Sequence, residues 1–487
     1  MVTGPAGDIG HALRTLADQA FSRAAGAPVT PGNAVRILRD GAENYPAWEA
    51  AIRAAKHTVH LEMYIIHRDP VGRRFIDLLA AKAREGVTVR VLYDWFGCGL
   101  GPMLGLFDPL LQAGGRVQVF NPPTLSAIFG WVRRNHRKLL VVDGEVAFIG
   151  GLCIGQAWQH NPRGKPWRDT AIELRGPAVA QAERAFVESW RIATGEDDQR
   201  TLSTIQTPAP AGDIDVRLIP TEPFMAHMFR MDLLVAAMAR KRLWIWDAYF
   251  IGHGPFADAL CRAAGDGVDV RLILPQGSDV GWTVPVSRTL YRSLLQNGVR
   301  IYEWTESMMH AKAAVADSRW SRIGSTNLNI NSWLGNWELD VAIDNVGVAS
   351  VLESHFEEDL RRSTEITVND RGRLLATPPK PRLHLARRSA RRAVREVTGV
   401  ARSVGAALTA SRPLEDFEVG PLLLLGTAGL LLATVAIFRP WVLAWPVAAL
   451  LLVSAFNLFT EAWRARPRRQ SVETPDVAPS VKERRPS

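Results

Sequence analysis

The sequence predicts an α/β protein of two pseudo-symmetric lobes, followed by a basic amphipathic helix and a C-terminal transmembrane helical hairpin. Short extended apolar segments alternate with helical ones across Gly turns, the signature of a parallel or mixed sheet with covering helices. The pattern recurs about 180 residues downstream, which is too long a period for a solenoid and implies duplicated domains. Two uncharged stretches, each long enough to span a bilayer as a helix, come near the end. At 487 residues the chain also exceeds one ordinary domain.

Residues 1–32 lack the basic start and apolar core of a secretory signal. They read as a helix, about Ile9 to Ala24, and a Gly/Pro-rich linker. The first lobe is placed at 33–205, where Thr58 to Ile66 is extended, Gly72 to Glu85 has helical periodicity, and Val87 to Tyr93 is again a strand. The second lobe, 206–368, repeats these segments. Glu62-Met-Tyr-Ile-Ile matches Asp247-Ala-Tyr-Phe-Ile at an offset of 185, and Gly86-Val-Thr-Val-Arg-Val-Leu matches Gly267-Val-Asp-Val-Arg-Leu-Ile at 181. Drifting offsets fit two copies of one unit with different loops.

Residues 369–418 form a basic juxtamembrane segment. Lys380 to Arg395 holds seven basic residues, and Ala390, Ala393, Val397, Val400, Val404 and Leu408 recur at helical spacing. Such a helix lies on anionic membrane surfaces. The hairpin occupies 419–460, with twenty uncharged residues from Val419 to Phe438 and twenty-one from Pro440 to Thr460. Arginines flank it on both sides (Arg387, Arg388, Arg391 and Arg392 before, Arg464, Arg466, Arg468 and Arg469 after), so both ends are expected in the cytoplasm. The tail, 461–487, reads as a disordered basic segment.

Composition narrows the chemistry. Forty-seven per cent hydrophobic and 22% charged residues exclude a disordered or collagen-like chain, and three cysteines cannot build a disulfide framework. A net charge of +9 points to an anionic partner. Only eight of the 58 basic residues are lysines. A lysine at a special position therefore carries information.

Two such lysines sit in one repeated motif. His136-Arg-Lys138 runs on to Asp143 and Gly150-Gly151, and His310-Ala-Lys312 to Asp317 and Gly324-Ser325; both read H-x-K-x4-D-x6-G-[GS]. On an extended segment, residues two apart share a face, so each copy offers an imidazole beside an ammonium. Two copies facing across a pseudo-twofold axis give two imidazoles and two ammoniums in one cleft. That set suits displacement at a phosphodiester: one imidazole attacks to form a phosphohistidine, and the other protonates the leaving alkoxide and later deprotonates the incoming alcohol. The lysines would hold the non-bridging oxygens, with no metal and no cofactor required. The imidazoles need carboxylates on their other nitrogens; the candidates are Asp169, 33 residues after His136, and Glu338, 28 after His310. Asp143 and Asp317, of opposite parity, are expected to face away and fix the strand and following turn. Arg133, Arg134 and Arg137 are read as lipid-phosphate ligands or as generic surface cations.

These paired motifs, with Asn135-His-Arg-Lys, Phe148-Ile-Gly-Gly, Trp167-Arg-Asp and Gly324-Ser-Thr-Asn-Leu-Asn, resemble the phospholipase D superfamily over roughly residues 33 to 365. Within it they resemble the bacterial cardiolipin synthases, in the branch without the N-terminal membrane hairpin. The resemblance implies α/β/α sandwich lobes forming an internal pseudo-dimer, His136 as nucleophile, and Asn327 and Glu338 as supporting residues, Asn327 binding the substrate phosphate. It implies phosphatidyl transfer between two phosphatidylglycerol molecules, with release of glycerol. Hydrolysis to phosphatidic acid passes through the same intermediate and differs only in what resolves it. The implied partners are anionic phospholipid and the bilayer of the bacterial cytoplasmic membrane, the lobes facing the cytoplasm. Nucleic acid is not expected, because the basic residues cluster beside the hairpin rather than in an aromatic-studded groove. One departure stands out: the first lobe has Cys153 where the second has Asn327.

Overall fold

A computed structural model describes residues 18–377, apart from 100, 123–132, 161–163, 197–198, 253 and 370–373. By contacts the chain divides into residues 1–422 and 423–487, and all described residues belong to the first unit. No helix among the described residues is long and apolar enough to cross a membrane. The predicted hairpin and the basic segment beyond 377 lie outside the described residues.

The first lobe contributes strands β1 (Thr30–Arg39), β2 (Thr58–Met63), β3 (Thr88–Asp94), β4 (Arg116–Phe120), β5 (Lys138–Val142), β6 (Val146–Gly150) and β7 (Thr170–Arg175). The second contributes β8 (Ile214–Thr221), β9 (Arg242–Trp246), β10 (Asp269–Pro275), β11 (Arg300–Trp304), β12 (Ala313–Ala316), β13 (Trp320–Gly324) and β14 (Glu338–Asp344). Two more strands, β15 (Ser363–Val368) and β16 (Leu374–Thr377), extend the outer edge of the second lobe. All join in one 16-stranded sheet, ordered β16-β15-β11-β10-β9-β12-β13-β14-β8-β1-β7-β6-β5-β2-β3-β4. From the central β8–β1 pair outward, the two halves have the same order. The pairing of β16 with β15 carries the lobe past the expected boundary at 368, because Leu374 to Thr377 completes an edge that β15 would otherwise expose.

Strands buried on both faces read as continuous apolar runs, and β5 (Lys-Leu-Leu-Val-Val) and β12 (Ala-Ala-Val-Ala) are buried throughout. Helices cover both faces. Val179–Thr194 and Val346–Arg361 pack on one face, in a core shared by the two lobes through Phe186, Trp190, Trp246, Leu339 and Phe356. The other face carries one core per lobe. Local signals start the helices: Asp69 accepts from the Val71 and Gly72 amides with Pro70 at the first position, and Asn345 accepts from Val348 N.

Candidate active site

The N-terminal ends of β5, β7, β12 and β14 bring the two motifs together, and the backbone does it by exchange. His136 N donates to Trp337 O at 2.9 Å and Trp337 N to Arg134 O at 2.9 Å. Symmetrically, His310 N donates to Arg168 O at 2.7 Å and Arg168 N to Met308 O at 2.9 Å. Each motif histidine is thus zipped to the residue preceding the other lobe's acid. The side chains follow. His136 Nδ1 lies 2.9 Å from Glu338 Oε2, and His310 Nδ1 lies 2.7 Å from Asp169 Oδ2. Both sequence-predicted acids therefore reach a histidine, each across the lobe boundary.

The acids are held in turn. Ser325 Oγ donates to Glu338 Oε2 at 2.6 Å and Asn336 Nδ2 to Oε1 at 3.2 Å. Trp158 Nε1 donates to Asp169 Oδ2 at 2.9 Å and Thr170 N to Oδ1 at 2.8 Å. The motif glycines leave room for buried carboxylates: a Cβ on Gly151 would lie 2.2 Å from Asp169 Oδ1, and one on Gly324 2.2 Å from Oδ1 of Asp340, two residues after Glu338. Lys138 opens β5 and Lys312 immediately precedes β12, so the histidines stand just before the strands rather than within them. Each Nζ donates back to its own motif's His carbonyl. Each also lies over a tyrosine ring, Lys138 over Tyr64 at 5.0 Å and Lys312 over Tyr249 at 5.5 Å. Those rings meet the imidazoles edge-on, at 4.9 Å for His136 and 6.0 Å for His310. Sequence reasoning missed Tyr64 and Tyr249 as site residues, although they occupy the matching third positions of the Glu62 and Asp247 repeat segments.

Burial dominates the electrostatics. It drives His136 down to about 4, with Glu338 opposing and Lys138 adding to the fall. It drives His310 well below the usual imidazole range, with Lys312 adding. Lys138 falls to about 8 by the same desolvation, and Asp169 rises to about 6. Burial would raise Glu338 too, but His136 opposite, with Lys138 and the Ser325 hydroxyl, holds it below the usual carboxylate range. At neutral pH both imidazoles are thus neutral and both acids ionised. The Nδ1 proton is donated to the acid, and Nε2 keeps its lone pair.

Asp143 and Asp317 lie at the far ends of β5 and β12, away from this cleft. Asp143 accepts from the Lys56, His57 and Thr58 amides, each at 2.8 Å. Asp317 accepts from the Arg240, Lys241 and Arg242 amides at 2.8, 2.7 and 3.0 Å. Asn327 is buried, its Nδ2 3.5 Å from Ser332 Oγ and its Oδ1 without a hydrogen-bond partner among the described residues. Cys153 is fully buried near Lys138. Two readings of the flanking arginines need correction. Arg134 is buried against Asp94 at 3.2 Å, and Arg137 is buried with bonds to Glu338 O, Ala185 O and Ser189 Oγ, so neither faces lipid or solvent. They brace the motif loop. Among the described residues, no cluster of three or more His, Cys, Asp or Glu side chains has the geometry to hold a metal ion.

Residues 49–162 and 235–360 match the family described as cardiolipin synthase, PLD-like domain. The chain is 33% identical over 349 residues to the cardiolipin synthase of Alkalihalophilus pseudofirmus, covering 70% of this chain and 68% of that one. It is 31% identical over 349 residues to the major cardiolipin synthase ClsA of Bacillus subtilis, covering 70% and 72%. The fold also matches the crystal structure of phosphatidylserine synthase from Haemophilus influenzae, over 80% of this chain and 98% of that one, at a TM-score of 0.58 and 14% identity. The paired motifs, the duplicated sheet and these relatives together show that the chain belongs to the phospholipase D-like cardiolipin synthase family.

Proposed function

We propose that the protein is a membrane-bound phosphatidyltransferase that condenses two phosphatidylglycerol molecules into cardiolipin and glycerol. The observation carrying this reading is the exchanged pair of His–carboxylate contacts. Both imidazoles have Nδ1 engaged and Nε2 available, beside two ammoniums. His136 Nε2 attacks the donor phosphorus, and the bond to the glycerol oxygen breaks. Phosphodiester binding brings a negative charge beside His310, favouring its protonated form, which delivers the proton to the departing oxygen. In the second half the acceptor hydroxyl gives its proton to His310 and attacks phosphorus, and the P–N bond returns its electron pair to His136. Lys138 and Lys312 neutralise the non-bridging oxygens, and the Asn327 amide adds a donor that Cys153 cannot supply from the other lobe. Glu338 is the better choice of partner for a nucleophile, because its carboxylate stays ionised to lower pH than that of Asp169.

The C-terminal basic helix and hairpin would anchor the lobes to the cytoplasmic face of the bacterial inner membrane, where phosphatidylglycerol is both donor and acceptor. Labelled phosphatidylglycerol in vesicles is expected to yield cardiolipin and free glycerol. His136→Ala and His310→Ala are each expected to lower the rate by at least about a thousandfold. Phosphatidic acid as the only lipid product would make the protein a hydrolytic phospholipase D instead.

A further inference from the structure

The sheet repeats across the pseudo-twofold axis, but the rim of the cleft does not. The offset of 181 that aligns β3 with β10 places Trp95-Phe96-Gly97-Cys98 opposite Gln276-Gly277-Ser278-Asp279. On the first-lobe side the rim is aromatic, with Trp95 37% and Phe96 58% exposed. On the second-lobe side it opens into a cavity of about 560 Å³, bounded by Trp167, Trp304, Met308, Gln276, Ser278 and Asp279. The cavity adjoins His310: the Trp167 ring lies 5.5 Å from its imidazole, and Met308 is two residues before it. Tyr249, edge-on to His310, donates its hydroxyl to Asp279 Oδ1 at 2.8 Å, and Ser278 Oγ donates to the same oxygen at 3.1 Å. Asp279 Oδ2 makes no hydrogen bond among the described residues, and Asp279 lines the cavity.

We infer that this cavity is the polyol subsite, where Asp279 and Ser278 bind the spare hydroxyls of the alcohol that leaves in the first half-reaction and enters in the second. The inference rests on the phosphatidyltransferase reading and deepens it. A carboxylate repels a phosphate group, so Asp279 is misplaced as a phosphate ligand and well placed to accept a hydrogen bond from a hydroxyl. In-line displacement puts the alcohol on the side of phosphorus opposite His136, which is the side of His310 and this cavity. The diacylglycerol part is left to the aromatic first-lobe rim. In the second half-reaction one hydroxyl oxygen attacks phosphorus, its proton goes to His310 Nε2, and the P–N electron pair returns to His136. A neighbouring hydroxyl of the same alcohol meanwhile donates to Asp279 Oδ2. A monohydroxy alcohol can make the first contact and not the second.

The test is a partition measurement on the full-length protein in phosphatidylglycerol vesicles containing a fixed concentration of 1-propanol. Cardiolipin and phosphatidylpropanol arise from one phosphoenzyme, so their ratio is independent of how fast it forms and of how much protein is folded. Asp279→Ala is expected to lower the cardiolipin-to-phosphatidylpropanol ratio about tenfold, the loss of one charge-assisted hydrogen bond. Ser278→Ala, which leaves the carboxylate in place, is expected to shift it the same way by about threefold. It also decides the question where Asp279→Ala yields no product. An unchanged ratio in both variants, whatever the total rate, overturns the subsite and leaves Asp279 a positioning residue acting through Tyr249. If the unmodified protein forms neither transfer product, the phosphatidyltransferase reading itself has failed.

Discussion

Burial in this cleft moves Asp169 up and the bases down, and the two limits bracket the working range. As pH falls through about 6, Asp169 takes up a proton and loses the negative charge that supports the His310 imidazole at Nδ1. As pH rises through about 8, Lys138 loses the charge that would face the phosphate. His136, driven to about 4, stays neutral throughout. The plot of kcat/KM against pH is therefore expected to be bell-shaped, with apparent limbs near 6 and 8 belonging to the coupled site as a whole. Lys138→Arg, which cannot deprotonate, is expected to remove the alkaline limb at a reduced rate. Glu338→Gln replaces the acceptor that fixes the His136 tautomer, and kcat is expected to fall about 10³- to 10⁴-fold while the fold is retained. At this scale the sequence showed the histidines, lysines and acids, because rare lysines at fixed spacing stand out in an arginine-rich chain. It could not show which acid serves which histidine, since the partners are 202 and 141 residues apart. Nor could it separate Trp158 and Ser325, the braces of those acids, from ordinary core residues. Only tertiary contact distinguishes them.

At the scale of an element, the motif aspartates act as turn anchors. Asp143 and Asp317 leave their strands with φ of 52° and 51°, a conformation that short polar side chains tolerate. Each carboxylate gathers three consecutive amides at the start of a neighbouring strand, β2 in one lobe and β9 in the other. The parity of the motif predicts that they face away from the histidines; the structure places them just past the far ends of β5 and β12, on these amides. Each of Asp143→Asn and Asp317→Asn is expected to cost about 1–2 kcal/mol in urea unfolding. Because the sites share no partner, the double variant is expected to lose the sum. Cardiolipin formation at 25 °C is expected to stay within about twofold of normal. The strand–helix alternation was legible because β2, β3 and the helix Pro70–Arg84 carry clean periodicities and a Pro/Gly start. The edge strand β16 was not, since four residues beside a basic, Pro-rich stretch carry no period of their own.

For the molecule as a whole, the repeat in the sequence reveals two copies but not that each is incomplete. The seam between β1 and β8 is thin, with Thr30 opposite Val216, Asn33 opposite Ile214 and an irregularity between them. What joins the lobes is the shared core and the exchanged site, reinforced by a buried ionic bridge. Arg168, on the residue before Asp169, donates to Asp359 of the second lobe at 2.8 Å, and Arg39 donates to the same carboxylate at 2.6 Å. Arg168→Met removes one of the two guanidiniums on the buried Asp359 carboxylate and leaves Arg39 as its cation, so it is expected to destabilise the fold by about 1–3 kcal/mol. The connector, by contrast, carries little of this load, for Thr207 and Ala209 are exposed. A protease site inserted there and cleaved is expected to leave two fragments that co-elute and retain at least half of the transferase activity. After separation in urea and refolding apart, each fragment is expected to be inactive, because His136 lacks Glu338 and His310 lacks Asp169. Remixing is expected to restore activity with a steep dependence on fragment concentration. Activity in either fragment alone would mean that one lobe can orient its own histidine, and the exchange of acids would then be no more than a route by which the chain folds.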